Sequence, residues 1–522
     1  MAQEIQKNDH VVMVKDKSFI AKAEKLLPTL HHKAIYPQDI ITLIQDPTAI
    51  YGWSAKVVSS AHEYFTKAFQ SGESFIIDFG QHAVGYLSFL CQSVGSPPDA
   101  PAHIKFTFGE TLCEVAEPFS QYQGWLSKSW LQQHDEYIDI LPAKVDLTRR
   151  YCFRYLKIEV VSLSPKYQIK FQDITLNTVS SAPDNCVIYQ SNDPQLAKID
   201  KVSVLTLHNC MQEVFEDGPK RDRRLWLGDL RLQALVNDVT FKQYDLVRRC
   251  LYLFASHRRE DGMVSANIFV KPDIIADDTF LYDYSLFYVD VLYNYFLQTH
   301  DEQTVKELWP IALRQIEIAL ERCDKHGLVT DSDDWWSFID WHEALNKQGA
   351  SQGVLIYCVD KALRLAQQLQ PAITASLQQT LDHLKQAART LWDDKSGFYV
   401  SGADRQVSYA TQIWMILAEV DDLPQQQTLM RNLLNSPPAI NMNTPYLRHH
   451  FIAALFKTGM QQQAIDEIKA YWGKMVDYGA DTFWELFDPQ NPSYSPYGSK
   501  IINSYCHAWS CTPAWFIRQY SL

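Results

Sequence analysis

The sequence predicts an N-terminal antiparallel β-sandwich followed by an (α/α)6 barrel, and three observations carry that expectation. Between about residues 74 and 178 the chain is a succession of short β-branched or aromatic runs broken by turn residues. From Asp193-Pro194 onward the hydrophobic period becomes 3.6 and stays there. The connections between the predicted helices then alternate in length, short after the even-numbered ones and long after the odd-numbered ones. The expected division is 1–185 for the β-sandwich and 186–522 for the barrel.

Taken in order, the first ~70 residues are mixed in character, with weak helical spacing in SFIAKAEKLL. The strand signals are SFIIDF, GYLSFLCQSV, HIKFTFGE, EYIDIL, RYLKIEVVS and YQIKFQDITL. GSPPDAP at 95–101 is a loop, and SSAPDN at 180–185 closes the segment as a linker. A good N-cap, Asp193, with proline at the first helical position opens the helical part. Helices are expected near 194–211, 229–238, 240–256, 279–299, 302–323, 350–369, 372–392, 407–420, 424–434, 445–458, 460–474 and 502–520. If these run up and down, every long loop falls at one rim of a toroid, where a rigid scaffold holds it for function.

Composition narrows the function. The 522 residues are 46% hydrophobic and 21% charged, as in a folded chain with ample core. A net charge of -13 repels phosphate backbones and anionic lipid, so neither nucleic acid nor a membrane is an expected partner. The ten cysteines are scattered without a CxxC pair and read as reduced, mostly buried thiols. The start lacks a continuous apolar run, which places the chain in the cytoplasm. The oligomeric state stays open, a homodimer included.

The long loops are chemically biased. Trp226, Trp335, Trp336, Trp341 and Trp484 fall in them beside Asp217, Asp222, Asp229, Asp277, Asp278, Asp331, Asp333, Asp334, Asp340, Asp477, Asp481 and Glu485. Carboxylates accept hydroxyl hydrogen bonds and indoles cover C–H faces, so this mixture suits a neutral polyhydroxylated ligand. In EDGPKRDRRLWLGD (216–229) three aspartates alternate with Lys220, Arg221, Arg223 and Arg224. Four cations so close together in an acidic protein point either to a solvated charge run or to buried carboxylates in need of neutralisation.

In GADTFWELFDP (479–489) Glu485 follows Phe483 and Trp484, a setting that raises a carboxyl pKa by desolvation. Glycoside hydrolysis needs two carboxyl groups, one to protonate the leaving oxygen and one to attack or to activate water. Asp222 and Glu485 lie on the first and last long loops, which become neighbours when a toroid closes. DSDDWWSFIDWHE (331–343) is either a sugar-stacking wall or an aromatic cluster, and His507 is placed at the start of the last helix. The acidic pair in IIADDTFLYDYS suggests the magnesium motif of terpene cyclases, but no second metal motif or basic diphosphate pocket accompanies it. No HExxH, Cys/His cluster, EF-hand loop or P-loop occurs, and neither metal nor other cofactor is expected.

In this order on a helical barrel, DGPKRDRRLWLGD, the DDWW loop, GADTFWE and NSYCHAW resemble the catalytic domain of glycoside hydrolase family 78, the bacterial α-L-rhamnosidases. DFGQHAVGYLSF, HIKFTFGE and RYLKIEV look like the β-sandwich that precedes it, and the match is closest to the short two-domain members of the Klebsiella type. The resemblance implies an inverting hydrolase acting on a small rhamnoside, with Asp222 as general acid and Glu485 as general base. It places Asp217, Arg221, Trp226, Asp229 and His507 around the rhamnose, with Asp334, Trp335 and Trp336 on a second sugar-facing loop.

The acid position departs from the family's more usual glutamate. It is also flanked by Arg221 and Arg223, whereas a general acid wants its pKa raised. Residue chemistry by itself favours Glu485 as the acid; the resemblance assigns Asp222. For the inverting pair a separation of roughly 6.5–9.5 Å is expected. Another (α/α)6 glycosidase, a sugar phosphorylase and a non-catalytic carbohydrate-binding protein are the alternatives.

Overall fold

A computed structural model describes residues 10–183, 186, 189–330, 332 and 335–522. Its N-terminal β-domain is built on one long strand, Ser74–Gly95, whose alternate residues are buried from both sides. That strand pairs antiparallel with Asp39–Gln45, Ala143–Asp146, Tyr151–Ser162 and Tyr167–Ser180. It bends where the register shifts between Asp78 and Ala83, so one strand serves both halves of the domain. Gly80 sits in the bend at φ +80°, and a Cβ there would collide with the Gln38 side chain. Phe75, Phe89, Phe106, Phe153 and Phe171 fill the space inside.

The first residues take an unexpected place. Met13–Lys15 pairs with His257–Arg259, and Lys17–Lys25 packs on Tyr244–Ser256, so a stretch that precedes the β-domain in sequence sits on the barrel. Its helix is capped by the Asp16 carboxylate, which accepts from the backbone N–H of Ser18 and Phe19.

Twelve helices follow among the described residues. The inner ring is Leu227–Val239, Tyr282–Thr299, Gln348–Leu369, Tyr409–Leu417, Pro445–Lys457 and Pro513–Gln519. Each packs on the next, and Pro513–Gln519 with the preceding turn Ala508–Ser510 closes onto Leu227–Val239. The outer ring is Pro194–Cys210, Tyr244–Ser256, Glu302–Leu320, Thr374–Arg389, Leu423–Asn435 and Gln461–Ile468, the last continued to Asp477 through a π-turn. Inner helices are hydrophobic nearly all round because they are enclosed, as Phe287 and Trp414 at the ring's centre illustrate. Burying such a ring is worth roughly 1.5–3 kcal/mol.

All six longer connections enter an inner helix at its N-terminus, so they share one rim, and the inner-helix dipoles present their positive ends there. One expectation fails at the chain's end. The stretch 502–520 is not one helix: only Pro513–Gln519 is α-helical, and His507 lies in a buried connection ahead of it. Among the described residues no disulfide joins any of the ten cysteines, and eight of them are buried. No helix among the described residues is long and apolar enough to cross a membrane.

Candidate active site

The first long connection folds back on itself around Asp217. The Asp217 carboxylate accepts from the backbone N–H of Asp222 (3.2 Å) and of Arg224 (3.1 Å), while its carbonyl accepts from Ala508 N–H at 2.8 Å. Gly218 permits the closure, since a Cβ there would lie 2.8 Å from the Arg221 carbonyl oxygen and 2.9 Å from Ser504 Oγ. The Arg221–Asp222 peptide is cis.

The cation run is resolved residue by residue. Lys220 pairs with Glu114, Arg221 with Glu485 and Arg224 with Asp277, so three of the four neutralise carboxylates. Arg223 donates from Nε to the Lys220 carbonyl and makes no ion pair among the described residues. The flanking cations are therefore engaged chiefly by groups other than Asp222. Arg221 donates to Glu485 and approaches Asp222 only to 3.9 Å.

Glu485 is enclosed on all sides. Arg221 Nη2 donates to its Oε2, the Tyr497 hydroxyl donates to its Oε1, and the Arg221 guanidinium lies 4.1 Å above the Tyr497 ring. Its backbone donates to Ser504 O at 3.0 Å and accepts from Trp509 Nε1 at 2.9 Å. Burial pushes the Glu485 carboxyl above the usual range, opposed first by the Arg221 charge and then by the Tyr497 hydrogen bond.

His507 stands between two buried carboxylates. Its Nε2 is 3.7 Å from Asp217 Oδ2 and its Nδ1 is 3.5 Å from Asp229 Oδ1. Burial, with Arg221 nearby, lowers its pKa well below the ordinary value. Burial and mutual repulsion raise both aspartates, Asp217 against Asp222 and Asp229, Asp229 against Glu485 and Asp222. Asp229 Oδ1 and His507 Nδ1 have no hydrogen-bond partner. Two unpartnered buried polar atoms facing each other are suited to a ligand hydroxyl.

An aromatic wall completes the site. Trp226 meets Tyr284 edge-on, Tyr284 meets Phe338, and Phe338 contacts both Trp341 and Trp509. Trp341 then reaches Tyr497, and Trp509 stacks near His507 at 4.4 Å.

The structure thus gathers Asp217, Arg221, Asp222, Trp226, Asp229, Glu485 and His507 at one mouth. Trp335 and Trp336 stand apart from that cluster. Trp335 packs on Tyr282 and under Arg322, and both indoles line a neighbouring cavity of about 450 Å³ that shares Phe338 with the wall. Asp331, Asp333 and Asp334 lie outside the described residues. Other loop acids are staples: Asp340 accepts from Asn443 N–H and from Thr444, Asp277 holds Arg224, and Asp481 accepts from His82 N–H.

Tyr497, Tyr284, Phe338 and Trp509 were not legible as site residues. Trp509 lies two residues past His507 in a motif that was, and Tyr497 sits in an unremarkable Ser/Pro/Tyr loop. His82, Glu110 and Cys152 lie close enough to suggest a metal cage. Their atoms are already engaged: His82 with Glu110 at 3.0 Å and Asn209 at 2.8 Å, Glu110 with Tyr505 N–H at 2.8 Å, and the Cys152 thiol with Glu110.

Comparison with known proteins identifies the two parts of the chain. Residues 37–178 match the glycosyl hydrolase family 78 α-rhamnosidase N-terminal domain, and residues 185–520 the bacterial α-L-rhamnosidase six-hairpin glycosidase domain. A Klebsiella oxytoca rhamnosidase solved with rhamnose bound is 63% identical, with a TM-score of 0.96 over 98% of this chain and 100% of that one. A Bacillus family 78 rhamnosidase superposes at 0.72 with 22% identity over 85% of this chain and 46% of its own. A Dictyoglomus α-L-rhamnosidase superposes at 0.67 with 16% identity over 94% and 52%. Those last two are longer chains and share the fold. No match is found among curated proteins.

Proposed function

The chain belongs to glycoside hydrolase family 78, the α-L-rhamnosidases, and from that premise we propose that it is an inverting hydrolase releasing terminal α-L-rhamnose from small rhamnosides. Glu485 is the general base. Arg221 and the Tyr497 hydroxyl both donate to its carboxylate and favour the ionised form, the form that takes a proton from water.

Asp222 is the general acid. Its side chain is a quarter exposed, and Arg221 is committed to Glu485 instead. The two carboxyl groups therefore have different environments, as an acid and a base require. The observation that carries the reading is this division of one guanidinium: bonded to Glu485, merely near Asp222.

Asp217, Asp229 and His507 take the sugar hydroxyls, the unpartnered Asp229 Oδ1 and His507 Nδ1 first among them. Arg221 adds a donor, while Trp226 with the wall behind it covers the ring and its methyl group. Trp335 and Trp336 receive the rest of the substrate in the adjoining cavity, joined to the mouth through Phe338.

Proton NMR of the first product from an aryl α-L-rhamnoside tests the stereochemistry. β-Rhamnose is expected, and α-rhamnose as first product overturns inversion. Asp222→Asn is expected to lose about 10²–10⁴-fold in kcat on a disaccharide and much less on an aryl rhamnoside with a good leaving group. Equal losses on both substrates would remove Asp222 from the acid role.

A further inference from the structure

The segments that carry the acid and the base hold one another through Lys220 and Arg221, and the β-domain reaches in and fixes that contact. Lys220, immediately before Arg221 and Asp222, is fully buried. Its ammonium donates to Glu114 Oε1 at 2.5 Å and to the carbonyls of Ile501 (3.0 Å) and Asn503 (2.7 Å), with Glu110 Oε2 at 4.0 Å. Glu114 belongs to Leu112–Ala116, a short helix of the β-domain, where its other oxygen accepts from Thr111 N–H in a capping box. One β-domain carboxylate thus fixes a lysine that ties the first long loop to the last.

The same pattern recurs in the residues around it. Glu110 accepts from Tyr505 N–H, and His82 N–H donates to Asp481 four residues ahead of Glu485. Trp125 donates from its indole to Pro496 O and from its backbone to Tyr497 O, steadying the tyrosine whose hydroxyl meets Glu485.

We propose that Glu114 and Lys220 are positioning residues for the catalytic pair, so that the β-domain is a working part of the active site. The chain of contacts is short. Lys220 holds the carbonyls of Ile501 and Asn503, and between them the carbonyl of Ile502 accepts from Arg221 Nε at 3.0 Å. Arg221 in turn holds Glu485. A shift of this clamp moves the guanidinium that opposes Glu485 protonation, and a displacement of about 1 Å at a reacting group costs as much as 10²-fold in rate.

The charged and titratable groups facing Glu485 are Arg221, Tyr497, Asp222 and Asp229, and the clamp bears on the first of them. The inference rests on Glu485 acting as base, and the test separates the two. Glu114→Gln keeps the shape of the side chain while removing its charge.

In the full-length enzyme, with folding verified by circular dichroism, kcat on an aryl α-L-rhamnoside is expected to fall at least tenfold with KM within about threefold of the parent. The acidic limb of the kcat profile is expected to move to higher pH. Lys220→Met serves as the second variant, with the same expectation, should Glu114→Gln not fold. Glu114→Asp, which keeps the charge, is expected to recover part of the rate. A kcat within threefold of the parent, or a loss that leaves the acidic limb in place, overturns the proposal. If Glu485→Gln retains near-parental turnover, it is the assignment of the base that falls, whatever Glu114→Gln does.

Discussion

Two clusters in the barrel are built from the same three kinds of side chain, an arginine, a carboxylate and a tyrosine. At the mouth, Arg221 pairs with Glu485, the Tyr497 hydroxyl donates to that carboxylate, and the guanidinium lies over the tyrosine ring. At the barrel's centre, Arg231 pairs with Asp290 at 2.6 Å, the Tyr357 hydroxyl approaches the same carboxylate at 3.3 Å, and Arg231 lies over the Tyr357 ring. Burial does not separate them, because every charged side chain in both is at most 7% exposed.

What separates them is the charge that stands beside each pair. Around Arg231, Nη1 meets His450 Nε2 at 2.7 Å and His450 Nδ1 meets Tyr446 O at 2.8 Å, and the buried atoms left without a partner, Trp414 Nε1, Tyr446 Oη and His449 Nδ1, belong to aromatic side chains. Around Glu485 stand two further carboxylates, Asp222, partly open, and Asp229, whose unpartnered Oδ1 faces His507. A buried arginine–carboxylate pair is thus no sign of an active site by itself; further carboxylates gathered beside it are.

The sharpest way to break the comparison is to neutralise each carboxylate. Glu485→Gln is expected to lose about 10²–10⁴-fold in kcat, as removal of a general base does. Its stability should change little, since Asp222 remains near Arg221. Asp290→Asn strands the Arg231 charge in the core, which costs about 3–5 kcal/mol. Its kcat per folded molecule should stay within severalfold of the parent. Steady-state kinetics and urea unfolding of the two variants check both halves, and equal effects on kcat would erase the distinction.

Asp229→Asn probes the unpartnered atoms directly, with a smaller effect on turnover of about 10–100-fold, within the range of a lost charge-assisted hydrogen bond. Its effect on stability should have the opposite sign. The Asp229 carboxyl is raised by burial and then by Glu485, so the folded state binds its proton more tightly than the unfolded chain. Such a group lowers stability progressively as pH rises from the unfolded value towards the folded one. The variant removes that cost, and at neutral pH it is expected to unfold at higher urea than the parent while turning over more slowly. A variant less stable than the parent would mean that Asp229 is paired in solution.

The barrel was legible because its helices are periodic and its loops alternate, and eleven of the expected stretches correspond to helices with shifts of a few residues. The end of the chain was not, for a physical reason. Residues 501–514 are buried on every side and find their hydrogen bonds outside the segment: Ser504 O accepts from Glu485 N–H, Tyr505 N–H donates to Glu110, Ala508 N–H to Asp217 O and His507 N–H to Phe483 O. A segment whose partners lie elsewhere in the chain carries no local period to read. The same holds for Met13–Lys15, whose three-residue pairing with His257–Arg259 is fixed by the barrel alone.

Within the site, the carboxylates and His507 were found because charge in an apolar context stands out. Tyr497 was not, because its role is set by where the loop carries it. The run Lys220–Arg224 was read as two alternatives, a solvated stretch or a set of neutralisers. Only the three-dimensional contacts decide between them, with Glu114 lying more than a hundred residues upstream of the lysine that it holds.

The finest comparison is between the two tyrosines. Tyr497→Phe removes one of the groups that lower the Glu485 pKa, leaving burial opposed by Arg221 and a backbone hydrogen bond with Ser504. The Glu485 carboxyl then lies higher still, and a base must be ionised to work. Activity that falls as pH drops through that pKa therefore begins to fall earlier, and the acidic limb moves to higher pH. Tyr357→Phe removes the matching hydroxyl at the centre, where no proton is transferred. It should cost about 1 kcal/mol of stability and leave the pH profile where it was. Profiles of kcat against pH for both variants test this pair. An unmoved acidic limb in Tyr497→Phe would mean that the Tyr497 hydrogen bond holds Glu485 in place without setting its ionisation.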